Sequence, residues 1–493
     1  MPDSTSQARP PLEFIPPKLN PLVLGATQQL LPFWLQSQTP ITQIKAENVE
    51  LLVDLYRQFQ QGKVRFLMAF RHPTVYDPFC MTHLLWRLVP KVAKQKGVSL
   101  DYPIHAHFIY DRGIPLWAGS SVGWLYSRLG GTPIHRGKAD WTGLRSARNL
   151  FANGKLPMAA SPEGATNGHS EVISSLEPGI SQLGFWCVED LLKAGRNEQV
   201  LIVPVGIQYS YVDAPWQSIE HLLTELEEAS GLTVDKKSEM TDFNQLPDWA
   251  FGSGYTEHYL EVSLYQRLYH LGEHLLSLME DFYSRFYHKK LPSSGSKEKY
   301  QQHQSLTYKN EELRARLQNL LNVALEVAEE YFNLPAKGGV IDRCRRLEQA
   351  GWNYIFREEL KDEQEFSAVE RGLANRLAEE ANLRMWHMRI VESFVSVTGK
   401  YVLEKPTAER FAETTLLLWD TVTRIKGGNS FARPQLGKQE VKLTVGQPIS
   451  VSERYAVYQE SRHSARQAVA DLTQDLQKDM EGLILPGFRH SDT

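Results

Sequence analysis

The residues best suited to chemistry are a histidine and an aspartate five positions apart. His72 follows the apolar run Val64–Phe70, and Asp77 precedes Pro78 and an apolar helical pattern. Histidine can act as a general base because its charge changes close to neutral pH. A carboxylate that accepts the other ring N–H fixes the tautomer and stabilises the imidazolium as it forms. The pair can therefore supply a base and the group that orients it.

A strand and a helix must position this pair. The run Val64–Phe70 predicts a buried strand, and Pro78 suits the first turn of a helix with Asp77 as its N-cap. Three further apolar runs predict strands, at residues 105–110, 156–160 and 200–208. Helical patterns lie between these strands. Such an alternation indicates an α/β layer structure.

The pattern changes after Tyr211, since residues 215–426 have almost entirely helical periodicity. Alternation then returns at residues 440–445, and an amphipathic helix is predicted at 452–483. A lone strand must pair somewhere, and the edge of the sheet already formed is the simplest place. We therefore predict an α/β fold, with a mixed sheet flanked by helices, that is interrupted by a large all-helical insertion.

This interpretation gives five segments along the chain. They are an N-terminal arm with an interfacial helix at 1–40, the first part of the α/β core at 41–214, the helical insertion at 215–436, the final strand and helix of the core at 437–485, and a tail at 486–493. The core is expected to open with a helix over residues 41–60.

Composition narrows the classes of partner. The net charge of −4 gives no general attraction to nucleic acid, which we exclude as a partner. The three cysteines are scattered and fit a reducing cytosol.

The N-terminus has no signal-peptide pattern, and no segment reaches the roughly 18 apolar residues of a spanning helix. Residues 21–35 and 113–129 are apolar enough to rest at a membrane interface, or to pack on the protein's own core. We expect a cytoplasmic protein that is peripheral on a membrane.

Four short blocks resemble, in the same order, the signature blocks of the glycerolipid acyltransferases. The blocks are H-x-x-x-x-D at His72 and Asp77, the turn from Gly130 through Gly131 to Arg136, Pro162-Glu163-Gly164, and Val203-Pro204-Val205-Gly206. Residues 445–449 also resemble a late strand of that family. The resemblance covers roughly residues 40–212 and 438–485 and leaves the helical middle uncovered.

The resemblance implies a fold like that of glycerol-phosphate acyltransferases, and direct transfer of a long-chain acyl group without an acyl-enzyme. The donor would be acyl-ACP or acyl-CoA, and the acceptor 1-acylglycerol 3-phosphate or glycerol 3-phosphate. His72 would be the base and Asp77 its orienting partner. Arg136 would bind phosphate, while Glu163 and Gly164 would line the acceptor pocket. Gly131 and Lys138 are further candidates for substrate binding. Neither a cofactor nor a metal is implied.

Two departures from the family pattern bear on the acceptor. Arg71 stands where the family often has Asn, and Ala165-Thr166 replaces the usual Thr-Arg of the third block. The missing arginine removes one expected phosphate contact. Either another basic residue compensates, or the acceptor is not glycerol phosphate. The candidates for compensation are Arg71, Lys138, Arg145 and Arg148.

Other interpretations remain open. A non-catalytic lipid-binding or scaffolding protein could share the core, and a thioesterase-like hydrolase is a third option.

A metal cluster is suggested by four histidines, His105, His107, His135 and His169. No Cys or carboxylate pattern completes such a site, and we expect no metal. In the helical insertion, Arg343, Arg345 and Arg346 could form a basic patch for an acidic acyl carrier protein.

Overall fold

A computed structural model describes residues 7–135, 140–232, 259–291, 306–361, 366–394, 399–430 and 432–484. The chain divides into two compact units. One comprises Met1–Pro11 and Asp213–Gly437, and the other comprises Leu12–Val212 and Lys438–Thr493. The predicted limits of the helical insertion, residues 215 and 436, lie close to Asp213 and Gly437.

The second unit is built on one mixed sheet of eight strands. The strands are β1 (Ile41–Glu47), β2 (Val64–Phe70), β3 (His107–Asp111), β4 (Thr132–Ile134), β5 (Met158–Ala160), β6 (Gln199–Tyr211), β7 (Gln439–Val445) and β8 (Ile449–Ser450). Their order is β1-β7-β6-β2-β5-β3-β4, and β8 pairs with β6. The predicted α/β class with a mixed sheet and flanking helices is confirmed.

Seventeen α-helices lie in the described ranges, numbered here along the whole chain. They are α1 (Pro21–Gln38), α2 (Val49–Gln60), α3 (Asp77–His83), α4 (Val89–Gln95), α5 (Ile114–Ala118), α6 (Ser120–Arg128), α7 (Trp141–Asn153), α8 (Gly179–Lys193), α9 (Trp216–Ala229), α10 (Tyr259–Phe286), α11 (Leu306–Phe332), α12 (Val340–Ile355), α13 (Ala368–Phe394), α14 (Gly399–Glu404), α15 (Ala408–Ile425), α16 (Tyr455–Tyr458) and α17 (Arg462–Gly482). A π-helical turn, Leu84–Leu88, joins α3 to α4. In the part of the chain that the structure describes, no helix is both long and apolar enough to span a bilayer.

Strand β2 is the centre of the sheet and is buried along its whole length. It runs parallel to β5 on one side and to β6 on the other, with Leu67 opposite both Met158 and Ile202. A parallel strand covered on both faces needs a continuous apolar sequence, which is what Val64–Phe70 supplies. The strand ends at Phe70, level with Val205 on β6.

Alternate residues of β2 face two separate cores. Phe66, Met68 and Phe70 pack on one face with residues of α2, α3 and β6. Leu67 and Ala69 pack on the other face with residues of α7, α8 and α17. This period of two follows from the pleat of a strand. The same alternation sets the face of the sheet towards which the residues just after Phe70 point.

The expected helix over residues 41–60 is wrong in its first half. Ile41–Glu47 forms β1 in parallel register with β7, and only Val49–Gln60 is helical. Asn48 separates the two in the left-handed region, with φ of 57°, where a helix cannot pass. Pairing with β7 outweighs local propensity here. Consequently β7 lies between β1 and β6 rather than at the predicted edge of the sheet.

Buried ion pairs link successive helices of the other unit. Arg267 on α10 reaches Glu227 on α9 at 2.6 Å, and Arg316 on α11 reaches Glu280 on α10 at 2.6 Å. Arg343 on α12 reaches Glu329 on α11 at 2.7 Å. Each guanidinium bonds both carboxylate oxygens, which fixes one helix against the next.

These contacts contradict the predicted basic patch for an acyl carrier. Arg343 is buried in its pair with Glu329. Arg346 donates to the backbone carbonyls of Pro335 and Lys337. The three arginines therefore do not present their charges on one free surface. Arg343 joins α11 to α12, and Arg346 bonds the loop between these helices.

Candidate active site

His72 and Asp77 meet at the end of β2. His72 lies two residues beyond the strand, and Asp77 is the first residue of α3. Nδ1 of His72 is 3.0 Å from Oδ2 of Asp77. The Asp77 side chain is fully buried, whereas 23% of the His72 side chain is exposed. The carboxylate is thus held inside the protein, and the imidazole is the part that a substrate can reach.

The neighbours of Asp77 decide the tautomer of His72. Oδ2 of Asp77 accepts the backbone N–H of Thr74 at 2.8 Å, and Oδ1 accepts the hydroxyl of Tyr209 at 2.6 Å. Because Asp77 acts here as an acceptor, Nδ1 of His72 carries the proton of the shared bond. Nε2 then keeps its lone pair and can take a proton from an incoming hydroxyl.

Tyr209 was missed by the sequence analysis. It lies on β6, and burial, together with the charge of Asp77, raises the pKa of its phenol well above the usual value, so the hydroxyl stays protonated. The Sγ atom of Cys80 lies 3.6 Å from the same hydroxyl. Burial also raises the pKa of Cys80, so this thiol is not a nucleophile at neutral pH.

Glu163 binds the protein's own backbone. Its Oε1 atom accepts the N–H of His72 at 2.8 Å. Its Oε2 atom accepts the N–H of Ser174 at 3.0 Å and the side-chain amide of Asn167 at 3.2 Å. The carboxylate is buried. Its observed role is to fix the chain at His72 and the loop that follows β5; contact with an acceptor stays a prediction.

Arg71 does not serve as a phosphate ligand. Its side chain is fully buried, with Nε 3.6 Å from Oε1 of Glu163. The guanidinium donates to the carbonyl oxygens of Ser170, His169 and Val172 at 2.5, 3.1 and 2.6 Å. Arginine in this position therefore stabilises the loop after β5.

The other basic candidates fall into three groups. Arg136 and Lys138 lie outside the described residues, so phosphate binding by them stays a prediction. Arg148 is engaged by Asp190 and Glu189, at 2.6 and 3.0 Å. Arg145 lies exposed on α7.

The two glycines of the predicted site meet backbone requirements. Gly131 donates to the carbonyl of Tyr126 at 2.8 Å, and a Cβ atom there would stand 3.1 Å from that oxygen. Gly164 has φ of 72°, a left-handed conformation that favours glycine. Both glycines allow tight turns beside the strand ends. Their contact with substrate stays a prediction.

Two of the four histidines considered for a metal brace the turn before β4. Trp86 donates to Nδ1 of His105 at 3.1 Å, and Nε2 of His105 donates to the carbonyl of Leu129 at 2.9 Å. His107 donates from Nδ1 to the carbonyl of Gly130 at 2.8 Å. Burial lowers the pKa of both, that of His105 to about 4. Among the described residues, no group of three His, Cys, Asp or Glu side chains could hold a metal ion.

We compared the chain with protein-family models and with curated proteins, and neither comparison finds a match. The candidate site is therefore argued from its geometry. That geometry is a partly exposed imidazole with a free Nε2, oriented by a buried carboxylate at the carboxyl end of a parallel strand. Such an arrangement can remove a proton from a hydroxyl and return it to a leaving group.

Replacing Glu163 with Gln tests its structural role. The change keeps the shape but leaves the buried Arg71 guanidinium without its counter-charge and turns an amide N–H₂ towards other donors. We expect the free energy of unfolding, from chemical denaturation, to fall by about 3 kcal/mol, as for a broken buried ion pair. Asp54→Asn is the control, because it breaks the exposed Arg57–Asp54 pair at a cost below about 1 kcal/mol. Equal losses in the two variants would contradict a buried charge pair.

The low pKa of His105 links stability to pH. In the unfolded chain a histidine takes up a proton as pH falls below about 6.5, whereas His105 in the fold stays neutral until about 4. Its contribution to stability is fully present above pH 6.5 and is lost as pH falls towards 4. His105→Gln should reduce this loss in unfolding free energy by about 3 kcal/mol. His463→Gln, at an exposed histidine, is the control; an unchanged slope in His105→Gln would refute the assignment.

Proposed function

We propose that this protein is a glycerolipid O-acyltransferase with a glycerol-phosphate-acyltransferase-like core. It moves a long-chain acyl group from acyl-ACP or acyl-CoA to a glycerolipid hydroxyl, foremost that of 1-acylglycerol 3-phosphate. The observation that carries the proposal is the His72–Asp77 pair, joined at 3.0 Å with its carboxylate buried and Nε2 left to act as base.

The reaction follows from this pair. The acceptor hydroxyl gives its proton to Nε2 of His72 while its oxygen attacks the thioester carbonyl. The buried carboxylate of Asp77 stabilises the imidazolium that forms. The C–S bond then breaks, and the imidazolium returns the proton to the leaving thiolate. A new ester and a free thiol result, with no cofactor and no acyl-enzyme.

The arrangement of the signature blocks supports the same reaction. In parallel α/β sheets, ligands collect at the carboxyl ends of the strands. The first and third blocks follow β2 and β5, which are parallel neighbours, and the bond from His72 N–H to Glu163 joins them directly. We propose Arg136 and Lys138 as phosphate ligands. In the sequence they follow His135, whose N–H donates to Oδ2 of Asp140 at 2.9 Å.

His72→Ala and Asp77→Asn test the proposal. With labelled acyl-ACP or acyl-CoA, and with glycerol 3-phosphate, 1-acylglycerol 3-phosphate and other lysolipids as acceptors, each variant should lose at least about 10²-fold in kcat. The alanine removes the base, and the asparagine can impose the wrong tautomer. His463→Ala, at an exposed histidine, should behave as the unmodified protein.

The other outcomes separate the rival interpretations. Transfer that survives His72→Ala would contradict the proposal. Release of free fatty acid at the same rate with and without acceptor would identify a thioesterase-like hydrolase. The absence of turnover in every combination, together with unimpaired biological function of His72→Ala, would support the scaffolding protein.

We further propose that α1 rests on a membrane surface. This helix of 18 residues contains no charged side chain. Leu22, Leu30 and Phe33 are 85%, 65% and 72% exposed, although large apolar side chains are costly to leave in water. The ring of Trp34 packs 4.5 Å from that of Phe79, on the helix that Asp77 begins. A lipid surface at α1 would thus lie near the proposed base.

The double variant Leu30→Ser, Phe33→Ser tests the lipid surface. Removing two apolar side chains from a lipid interface should weaken binding to vesicles of phosphatidylcholine and phosphatidate by at least about tenfold in co-sedimentation. Val369→Ser, Leu373→Ser on α13 is the matched control, because these residues are 72% and 62% exposed. Equal binding by the two variants would contradict the assignment of α1.

A further inference from the structure

A chain of hydrogen bonds leads to the carboxylate of Asp77 from the side opposite His72. The N–H of Tyr76 donates to Oγ1 of Thr74 at 3.1 Å. The Thr74 hydroxyl donates to the Tyr209 hydroxyl at 2.9 Å. The Tyr209 hydroxyl in turn donates to Oδ1 of Asp77 at 2.6 Å.

The direction of this chain is set by the carboxylate, which can only accept. Tyr209 gives its proton to Asp77 and therefore accepts from Thr74, whose oxygen in turn accepts from the N–H of Tyr76. The Thr74 hydroxyl also lies 3.4 Å from Oδ1 of Asp77, and its shorter contact, to Tyr209, is the stronger one. Hydrogen bonds to an ionised acceptor are the short and strong ones, and 2.6 Å fits that class.

The backbone under Tyr209 is rigidly placed. Tyr209 sits in β6 opposite Val441 of β7, and its side chain belongs to the same core face as Phe70. Asp77 is therefore held by two elements. Thr74 and His72 contact Oδ2 from the loop after β2, and Tyr209 contacts Oδ1 from a central strand.

We propose that Tyr209, oriented by Thr74, is a positioning residue of the active site that fixes the Asp77 carboxylate and moderates its pull on His72. The inference rests on the proposed acyl-transfer function. Tyr209 is buried, and its hydroxyl bonds Asp77, the orienting partner of His72. Its loss should therefore change kcat and leave KM nearly unchanged.

Removing the phenol hydroxyl has a predictable effect on pH dependence. With one donor fewer, the carboxylate keeps more charge for the imidazolium, which forms at higher pH. The acidic limb of the kcat/KM profile should then move to higher pH. Among the described residues, the other titratable or charged groups in contact with this network are Cys80 on α3, near the phenol, and the Arg71–Glu163 pair beside His72. Neither is altered by the substitution.

Kinetics of four single variants test the proposal. Tyr209→Phe and Thr74→Val should each lower kcat by about tenfold or less, with the larger loss for Tyr209→Phe, and both should shift the acidic limb upward. Thr74→Ser keeps the hydroxyl and should recover most of the rate. Tyr56→Phe is the matched control, because the buried Tyr56 hydroxyl donates to the carbonyl of His105, remote from the pair. It should leave kcat and the pH limb unchanged.

The outcomes distinguish this inference from the proposed function. If His72→Ala abolishes transfer but Tyr209→Phe and Thr74→Val match Tyr56→Phe in kcat and in pH limb, Tyr209 is only a packing residue and the inference fails alone. If His72→Ala keeps its rate, the proposed function fails with it. Should Tyr209→Phe not fold, Thr74→Val compared with Thr74→Ser decides the question.

Discussion

The buried carboxylate of Glu163 is the contact on which the geometry of the strand ends depends. A charge in the protein interior costs several kcal/mol unless opposite charge and hydrogen bonds compensate it. Here Arg71 lies beside it, and three N–H groups donate to its two oxygens. Two of those partners, Arg71 and the N–H of His72, come from the end of β2, whereas Glu163 itself follows β5. The two strand ends therefore cannot shift independently without exposing an uncompensated charge.

A second buried carboxylate completes the arrangement with a different task. Glu163 holds the backbone at His72, and Asp77 holds the imidazole ring of the same residue. Asp77 belongs to helix α3, and Glu163 belongs to the loop after β5, which is hydrogen-bonded to the end of β2. A group fixed in this way needs little reorganisation energy when charge develops on it. Low reorganisation energy favours proton transfer. Arg71 contributes to this rigidity, because its guanidinium donates to three carbonyls of the loop after β5.

The sequence was informative where a local pattern determines structure and uninformative where pairing does. The runs that form β2 and β6 are continuously apolar, so both strands and the site at their ends could be predicted. Strand β1 carries Thr42, Gln43, Lys45 and Glu47, and only its partner β7, far along the chain, makes it a strand. Tyr209 was missed because its role depends on register: Val205, Ile207 and Tyr209 share the face of Phe70. The alternation can be read in the sequence, whereas the register of β6 against β2 cannot. The burial of Arg71 was not visible, since it depends on the path of the following loop.

The points where the chain leaves the α/β unit and returns to it follow from the antiparallel pairing of β6 with β7. The chain leaves the sheet at Val212 and returns at Lys438, and the N–H of Val212 donates to the carbonyl of Lys438 at 2.9 Å. Exit and return are thus neighbours, as at the two ends of a hairpin loop. The entropic cost of closing such a loop grows only with the logarithm of its length, so a long insertion there is tolerated. The inserted residues form a compact unit with Arg–Glu pairs of its own. The strand register that brings Tyr209 to Asp77 is therefore set within the α/β unit itself.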